Sequence, residues 1–252
     1  MLKKLMLSVL VLLTFSSCDD VITNPPETYY GITGKIMDES GHPIKDVKVF
    51  YLFNYYYIPN PAISERLQKE TVVDSFGNNL YQNFPNPVYN SFFLRYSIST
   101  DADITLAIRE SYSGRTKYLI SKPSYYGIYQ HYFNSIVDSL KLENGCYVIE
   151  LTVSKNQNLL YKAAKKMVVI SDLGTPNSLS NNDGIYFFDY NKSFISDTIF
   201  YAYDDNSVYP FEIHNNVNLR FQKEGYLSET INTDLYPGIL INRDVIMKKE
   251  EK

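Results

Sequence analysis

Apolar and polar residues alternate in short runs along this chain and almost nowhere recur at helical spacing. Val47, Val49, Tyr51 and Phe53 stand two apart. So do Tyr147, Ile149, Leu151 and Val153, with Val148, Glu150 and Thr152 between them, and so do Val217, Leu219 and Phe221, separated by Asn218 and Arg220. A period of two sends successive side chains to opposite sides of an extended backbone, so each run predicts a strand with one buried face. Ser40-Gly41-His42-Pro43 supplies turn residues between Gly34–Asp38 and the run from Val47, which predicts strand, turn, strand over Tyr30 to Phe53. The exception is Ser64 to Glu70, a short stretch of helical character between Pro61 and the β-branched segment Thr71 to Val73, which reads as one helical turn or as an extended edge. Asp172 to Asp183, rich in turn formers, predicts a linker.

The stretch Leu80 to Ile98, LYQNFPNPVYNSFFLRYSI, sets two X-Pro steps directly before an apolar strand. Each proline fixes its own φ and pushes the preceding residue toward extended geometry, so the strand has little freedom in where it begins. Leu80 to Pro87 resembles the opening of the type A sorting domain of type IX secretion substrates. The similarity continues in order through Ile104-Thr105-Leu106, Gly114-Arg115, Gly127 with Tyr129-Gln130-His131, Asn144-Gly145-Cys146-Tyr147 and Lys165-Lys166-Met167-Val168, about ninety residues in all. The resemblance implies an Ig-like β-sandwich. Here the segment is internal, and the expectation is that it is not cleaved as a sorting signal.

A second resemblance lies in the flanks. Gly34-x-Ile36-x-Asp38-x-x-Gly41-x-Pro43-Ile44-x-Asp46-Val47-x-Val49 is similar to the start of the carboxypeptidase regulatory-like domain, a small transthyretin-like β-sandwich that is not itself a catalyst. Asp46 stands where that family usually has glycine. The family's later elements are echoed at Asn182-Asp183-Gly184-Ile185-Tyr186, at Val217 to Tyr226 and at Asp244 to Lys248. Two strands alone do not bury a face in water, so the first segment needs a partner, which Val217, Leu219 and Phe221 would supply. The expected fold is therefore all-β, with two β-sandwich domains, one inserted in the other. Residues 30–74 and 175–250 would make a split carboxypeptidase regulatory-like sandwich, and 75–170 the Ig-like insert. Three serial units are the rival arrangement.

The N-terminus reads Met1-Leu2-Lys3-Lys4, an apolar run from Leu5 to Phe15, then Ser16-Ser17-Cys18. A basic start, a short apolar centre and small residues before the cut describe a secretory signal, here 1–17, too short to span ~30 Å of hydrocarbon. The pattern resembles a bacterial lipobox, which implies lipidation of Cys18, a tether over 18–29 and a membrane partner through the acyl chains. Multiple chains, at about 0.8 kcal/mol per buried methylene, anchor where one does not. Asp19 and Asp20 follow directly. In the Bacteroidetes-type lipoproteins that this leader resembles, acidic residues there accompany export to the outer face of the outer membrane. Removing Lys3 and Lys4 takes the formal charge from 24 − 28 = −4 to 22 − 28 = −6. A mildly acidic chain without a basic stripe argues against a nucleic-acid partner.

Candidate chemistry is sparse. Cys146 is the one cysteine left after Cys18, so no intrachain disulfide forms, and its place in an alternating run predicts a small buried thiol. His42, His131 and His214 lie far apart in sequence. No Gly-x-Ser-x-Gly, His-Glu-x-x-His, phosphate-cradling glycine loop or Cys-x-x-Cys occurs, so the chain reads as no enzyme, with no cofactor and no metal. The resemblance to the sorting domain implies that Ser111 to Arg115 is a strand-to-strand turn and not a nucleophile site. Asp204-Asp205-Asn206 has oxygen ligands for calcium but lacks the glycine and glutamate of an EF-hand loop, and a hairpin turn is the simpler reading. Tyrosine is abundant, with 24 copies against no tryptophan. Tyr55, Tyr56 and Tyr57, and also Tyr125-Tyr126, are candidates for an aromatic loop that binds a protein or a glycan, since Tyr joins contact area to a polar tip. The plain alternative is that tyrosines fill strands and edges. The reading that follows is a non-enzymatic cell-envelope lipoprotein serving as a structural, adhesion or scaffold module; the alternative is a glycan- or peptide-binding receptor component.

Overall fold

The computed structural model describes residues 30–57, 77–134, 140–190, 200–204 and 207–251, with 57, 200–204 and 207–209 described through their backbone alone. The leader and tether, the segment 64–70 and Val73 to Phe76 lie outside them. Among the described residues the chain is all-β: sixteen strands and no helix.

The flanking strands form two sheets. In one, β1 (Gly31–Asp38) lies between β11 (Ile185–Asp189), antiparallel to it, and β15 (Leu240–Asn242) followed by β16 (Val245–Met247), both parallel to it. The chain leaves the ladder between β15 and β16. At that step Asp244 Oδ1 accepts the Lys35 N–H at 2.8 Å and the Arg243 N–H donates to Thr33 O at 2.7 Å, so both of these donors stay paired across the gap in the sheet. The crossing backbone comes so close that only a glycine fits: a Cβ on Gly34 would lie 1.9 Å from Arg243 O.

In the second sheet β2 (Lys48–Tyr57) pairs with β13 (Ser207–Gln222), which carries β12 (Phe200–Asp204) and β14 (Glu229–Asp234), while β10 (Ser178–Leu179) pairs with β2. The register sets Val49 opposite Phe221, Tyr51 opposite Leu219 and Phe53 opposite Val217. These side chains share one buried core with Ile32, Ile36, Tyr186 and Phe188 of the facing sheet. Tyr51 stacks on Phe188, ring centroids 4.0 Å apart, and Tyr186 meets Phe221 edge-on at 5.1 Å. Register slips between Ile213 and Val217, where β13 bulges at His214-Asn215-Asn216. The expected linker after Ser171 is in part structural. Ser180 Oγ accepts the Val47 N–H at 2.9 Å and donates to Ile44 O at 2.8 Å, which carries the β10–β2 contact one step beyond the end of the ladder.

Between these flanks, β3 (Asn79–Leu80), β4 (Ser91–Ile98) and β7 (Gly127–Asn134) make one sheet. A second contains β6 (Thr116–Ser124), β5 (Ala102–Glu110), β8 (Gly145–Lys155) and β9 (Asn158–Val169), in that order. Phe92, Leu94 and Tyr96 meet Ile104, Leu106, Ile149 and Leu151 in a second buried core. The proline-rich entry is tied to β9 by side-chain amides. Gln82 Nε2 donates to Lys166 O at 2.7 Å, and Asn86, almost fully buried, accepts the Val168 N–H at 2.9 Å. The peptide bonds before Pro85 and Pro87 are both cis.

The two cores touch at the ends of β8 and β9, where Cys146, Val168 and Ile170 join the flanking core. Polar contacts follow the same seam. Tyr112 Oη donates to Asp189 Oδ2 at 3.0 Å, and Arg220 is salt-bridged to Asp172.

Candidate functional site

Of the aromatic residues singled out in the sequence, Tyr55, Tyr56 and Tyr57 are not a loop. They close strand β2, and a strand turns adjacent side chains to opposite faces. Tyr55 is half-buried; its ring meets Phe211 at 5.3 Å and its hydroxyl lies 3.0 Å from that of Tyr89 in the central unit. Tyr56 is on the other face, exposed, hydrogen-bonded to Glu212 and edge-on to the His214 ring at 4.7 Å. Its contact with the Glu212 carboxylate raises the phenol pKa. Tyr57 pairs with Phe211 through its backbone, and its side chain lies outside the description. Position in a strand thus divides what adjacency in sequence suggested.

Tyr125 and Tyr126 do stand in the open, at the turn between β6 and β7, held by the Tyr126 N–H to Asp101 Oδ1 and the Tyr129 hydroxyl to Tyr125 O. They lead into a second group of exposed aromatic residues, on the outward face of β4 and β7. There Phe93 lies opposite Tyr132, rings 5.2 Å apart, with Tyr132 57% exposed. Arg95 lies opposite Gln130, its guanidinium carbon 5.2 Å from the centre of the Tyr81 ring, and exposed Ile128 extends the patch. Sequence reasoning passed over this face. The signal was present: in Phe92-Phe93-Leu94-Arg95-Tyr96, Phe93 is out of phase with the buried positions, and Tyr132 breaks the phase of Tyr129, His131 and Phe133 in the same way.

The remaining candidates fall singly. Cys18 lies outside the described residues, as do Asp205 and Asn206; Asp204 ends β12 and pairs with Ser207 across the hairpin. Ser111 to Arg115 is the β5–β6 turn, where Ser113 and Arg115 both bond Glu110. His42 sits in an exposed turn, 3.4 Å from Asp38. His131 points inward beside Tyr96, its Nε2 3.3 Å from the phenol oxygen, and its burial lowers its pKa. Cys146 is buried, and desolvation pushes its thiol pKa up, the opposite of what a nucleophile needs. Among the described residues no three His, Cys, Asp or Glu side chains gather as a metal site.

Among the described residues the surface includes two concavities. A shallow groove of about 550 Å³ runs along the start of β2 and the end of β13, lined by Lys48, Gln222, Glu224, Tyr226 and Glu250 among others. A smaller cleft of about 100 Å³ opens at one end of the central unit, floored by Ile108 and Leu142 and rimmed by Glu110, Arg115, Lys117, Lys141 and Glu143.

Compared with protein-family models, with curated proteins and with solved structures, the chain matches none.

Proposed function

We propose that this chain is a non-enzymatic lipoprotein of the bacterial cell envelope, two nested β-sandwiches hung from an acylated Cys18 at the outer membrane and serving as a scaffold or adhesion module. The observation that carries the reading is the leader: Lys3-Lys4, eleven apolar-rich positions from Leu5 to Phe15, and Ser16-Ser17-Cys18. Nesting is supported by the β2–β13 register and by separate buried cores in the flanking and central strands. In this reading the flanks are a split carboxypeptidase regulatory-like domain and the centre is a sorting-domain-like insert retained in the mature protein. The experiment is metabolic labelling with palmitate. Label is expected on the intact protein and absent from Cys18→Ala; label retained by Cys18→Ala refutes the anchor.

A second reading, a glycan- or peptide-binding receptor component, is favoured by the Phe93, Tyr132 and Arg95 face. Exposed rings beside a guanidinium offer stacking area and directed donors, which a purely structural sheet face does not require. A glycan array probed with the protein and with Phe93→Ala and Tyr132→Ala tests it: signals that both changes leave intact dismiss this face as the binding surface.

A further inference from the structure

The cleft at the end of the central unit carries an excess of positive charge over an apolar floor. Three cations, Arg115, Lys117 and Lys141, face two carboxylates, Glu110 and Glu143. Arg115 is committed to Glu110, its Nη2 3.0 Å from the carboxylate and its Nε at 3.0 Å from the same oxygen. Glu110 is in turn bonded by the Ser113 hydroxyl, so this pair is closed on itself. Lys117 and Lys141 form no salt bridge among the described residues, and the cleft's lining holds more cations than carboxylates.

Local structure fixes where the lysines stand. Lys117 pairs with Ile108 across β5–β6, next to the edge of the sheet, because β6 has a neighbour on one side only. Lys141 holds a φ of 40° between buried Leu140 and Leu142, which turns the backbone so that both leucines enter the core and the lysine stays at the rim. Tyr147 closes the wall, buried, its hydroxyl donating to Glu143 O at 2.8 Å. Lys117 is exposed as a whole, yet burial of part of its side chain lowers its pKa, with Arg115 the next cause and Glu110 and Glu143 opposing.

We propose that this cleft binds the carboxylate of an acidic side chain on a protein partner, with Lys117 and Lys141 as the two cationic contacts and Ile108 with Leu142 receiving the methylenes. Charge complementarity selects an anion. The cleft, about 100 Å³ and open on one side, admits a carboxylate with its methylenes against the apolar floor. The site goes beyond the anchored-scaffold reading and does not depend on acylation; it names what the scaffold would hold.

The test uses the full-length protein in detergent with a fluorescein-labelled hexaglutamate peptide, read by anisotropy, beside its glutamine counterpart and an oligogalacturonate competitor. The glutamate peptide is expected to bind and the glutamine peptide not to, with affinity falling as salt is raised. Lys117→Gln combined with Lys141→Asn, the asparagine chosen because it tolerates positive φ, is expected to weaken binding about tenfold or more. Lys122→Gln with Lys162→Gln, exposed lysines elsewhere on the same sheet, is expected to change it less than twofold. The proposal fails if the glutamate peptide does not bind, if the cleft variant binds as well as the parent, or if the control pair weakens binding equally. It also fails if oligogalacturonate binds the cleft while the peptide does not, since the occupant is then a glycan.

Discussion

Asn144 and Ser171 are clasped by two hydrogen bonds, Asn144 Nδ2 to Ser171 O at 2.8 Å and Ser171 N–H to Asn144 Oδ1 at 2.6 Å, both buried. The clasp closes the central unit where β8 begins and the chain leaves β9. It also reaches the flanking sheet: Asn177 Nδ2 donates to Asn144 O at 2.9 Å, and Asn177 Oδ1 accepts the Tyr51 N–H at 2.9 Å. Asn144→Ala leaves a buried N–H and a buried C=O of Ser171 without these partners. At about 1–3 kcal/mol for an orphaned group, we expect a loss of roughly 2–4 kcal/mol, measured by urea denaturation. A loss under about 0.5 kcal/mol would show that the seam does not contribute to stability.

Gly34→Ala separates a structural glycine from an incidental one. The added methyl would lie 1.9 Å from Arg243 O and 2.5 Å from its carbon, so β1 or the β15–β16 step must move. We expect a loss above about 3 kcal/mol or failure to accumulate folded protein, whereas Gly41→Ala, where a Cβ meets nothing within 4 Å, loses only the cost of its positive φ, about 1 kcal/mol. Paired thermal melts decide between them.

Phe188→Ala removes the ring on which Tyr51 stacks and opens a cavity between the two flanking sheets. The expected cost is about 3–5 kcal/mol. Phe93→Ala, on the outward face, is expected to cost under about 1 kcal/mol, so the two phenylalanines are told apart by a single chemical-denaturation series.

Alkali should unfold the protein early. Burial raises the pKa of Cys146, Tyr147 and Tyr186, and pushes Tyr96 up to about 12. The folded chain then keeps protons that the unfolded chain releases, so this stability is fully present below the unfolded values and is lost as pH rises past them. We expect a plateau to about pH 8, a decline from the unfolded thiol at ~8.5, and a steeper one from the phenols at ~10. Cys146→Ala is expected to flatten the first part alone. A stability profile level to pH 11 contradicts this account.

How much of this was legible beforehand depends on the element. Alternation marked Val47 to Phe53, Tyr147 to Val153 and Val217 to Phe221 as one-sided strands, since period two needs no knowledge of partners. The turn at Ser40 to Pro43 was equally local. The segment after Ser171 read as a linker because its turn formers conceal that Asn177 and Ser180 hydrogen-bond β2 with their side chains. The Tyr55 to Tyr57 cluster misled for a related reason: adjacency in sequence says nothing about face until the strand is known. The outward face of β4 and β7 and the rim of Lys117 and Lys141 join residues from distant parts of the chain.

That this protein is built of strands follows from its residue order alone, because its apolar residues recur at a spacing that only an extended backbone can bury on one side. Which strands meet, and that β1 is flanked by β11 and by a broken pair of parallel strands, was decided by the tertiary structure. Backbone hydrogen bonding makes almost any two strands compatible. Only the shared interior, with Tyr51 on Phe188 and the Arg243 backbone against Gly34, selects among the pairings.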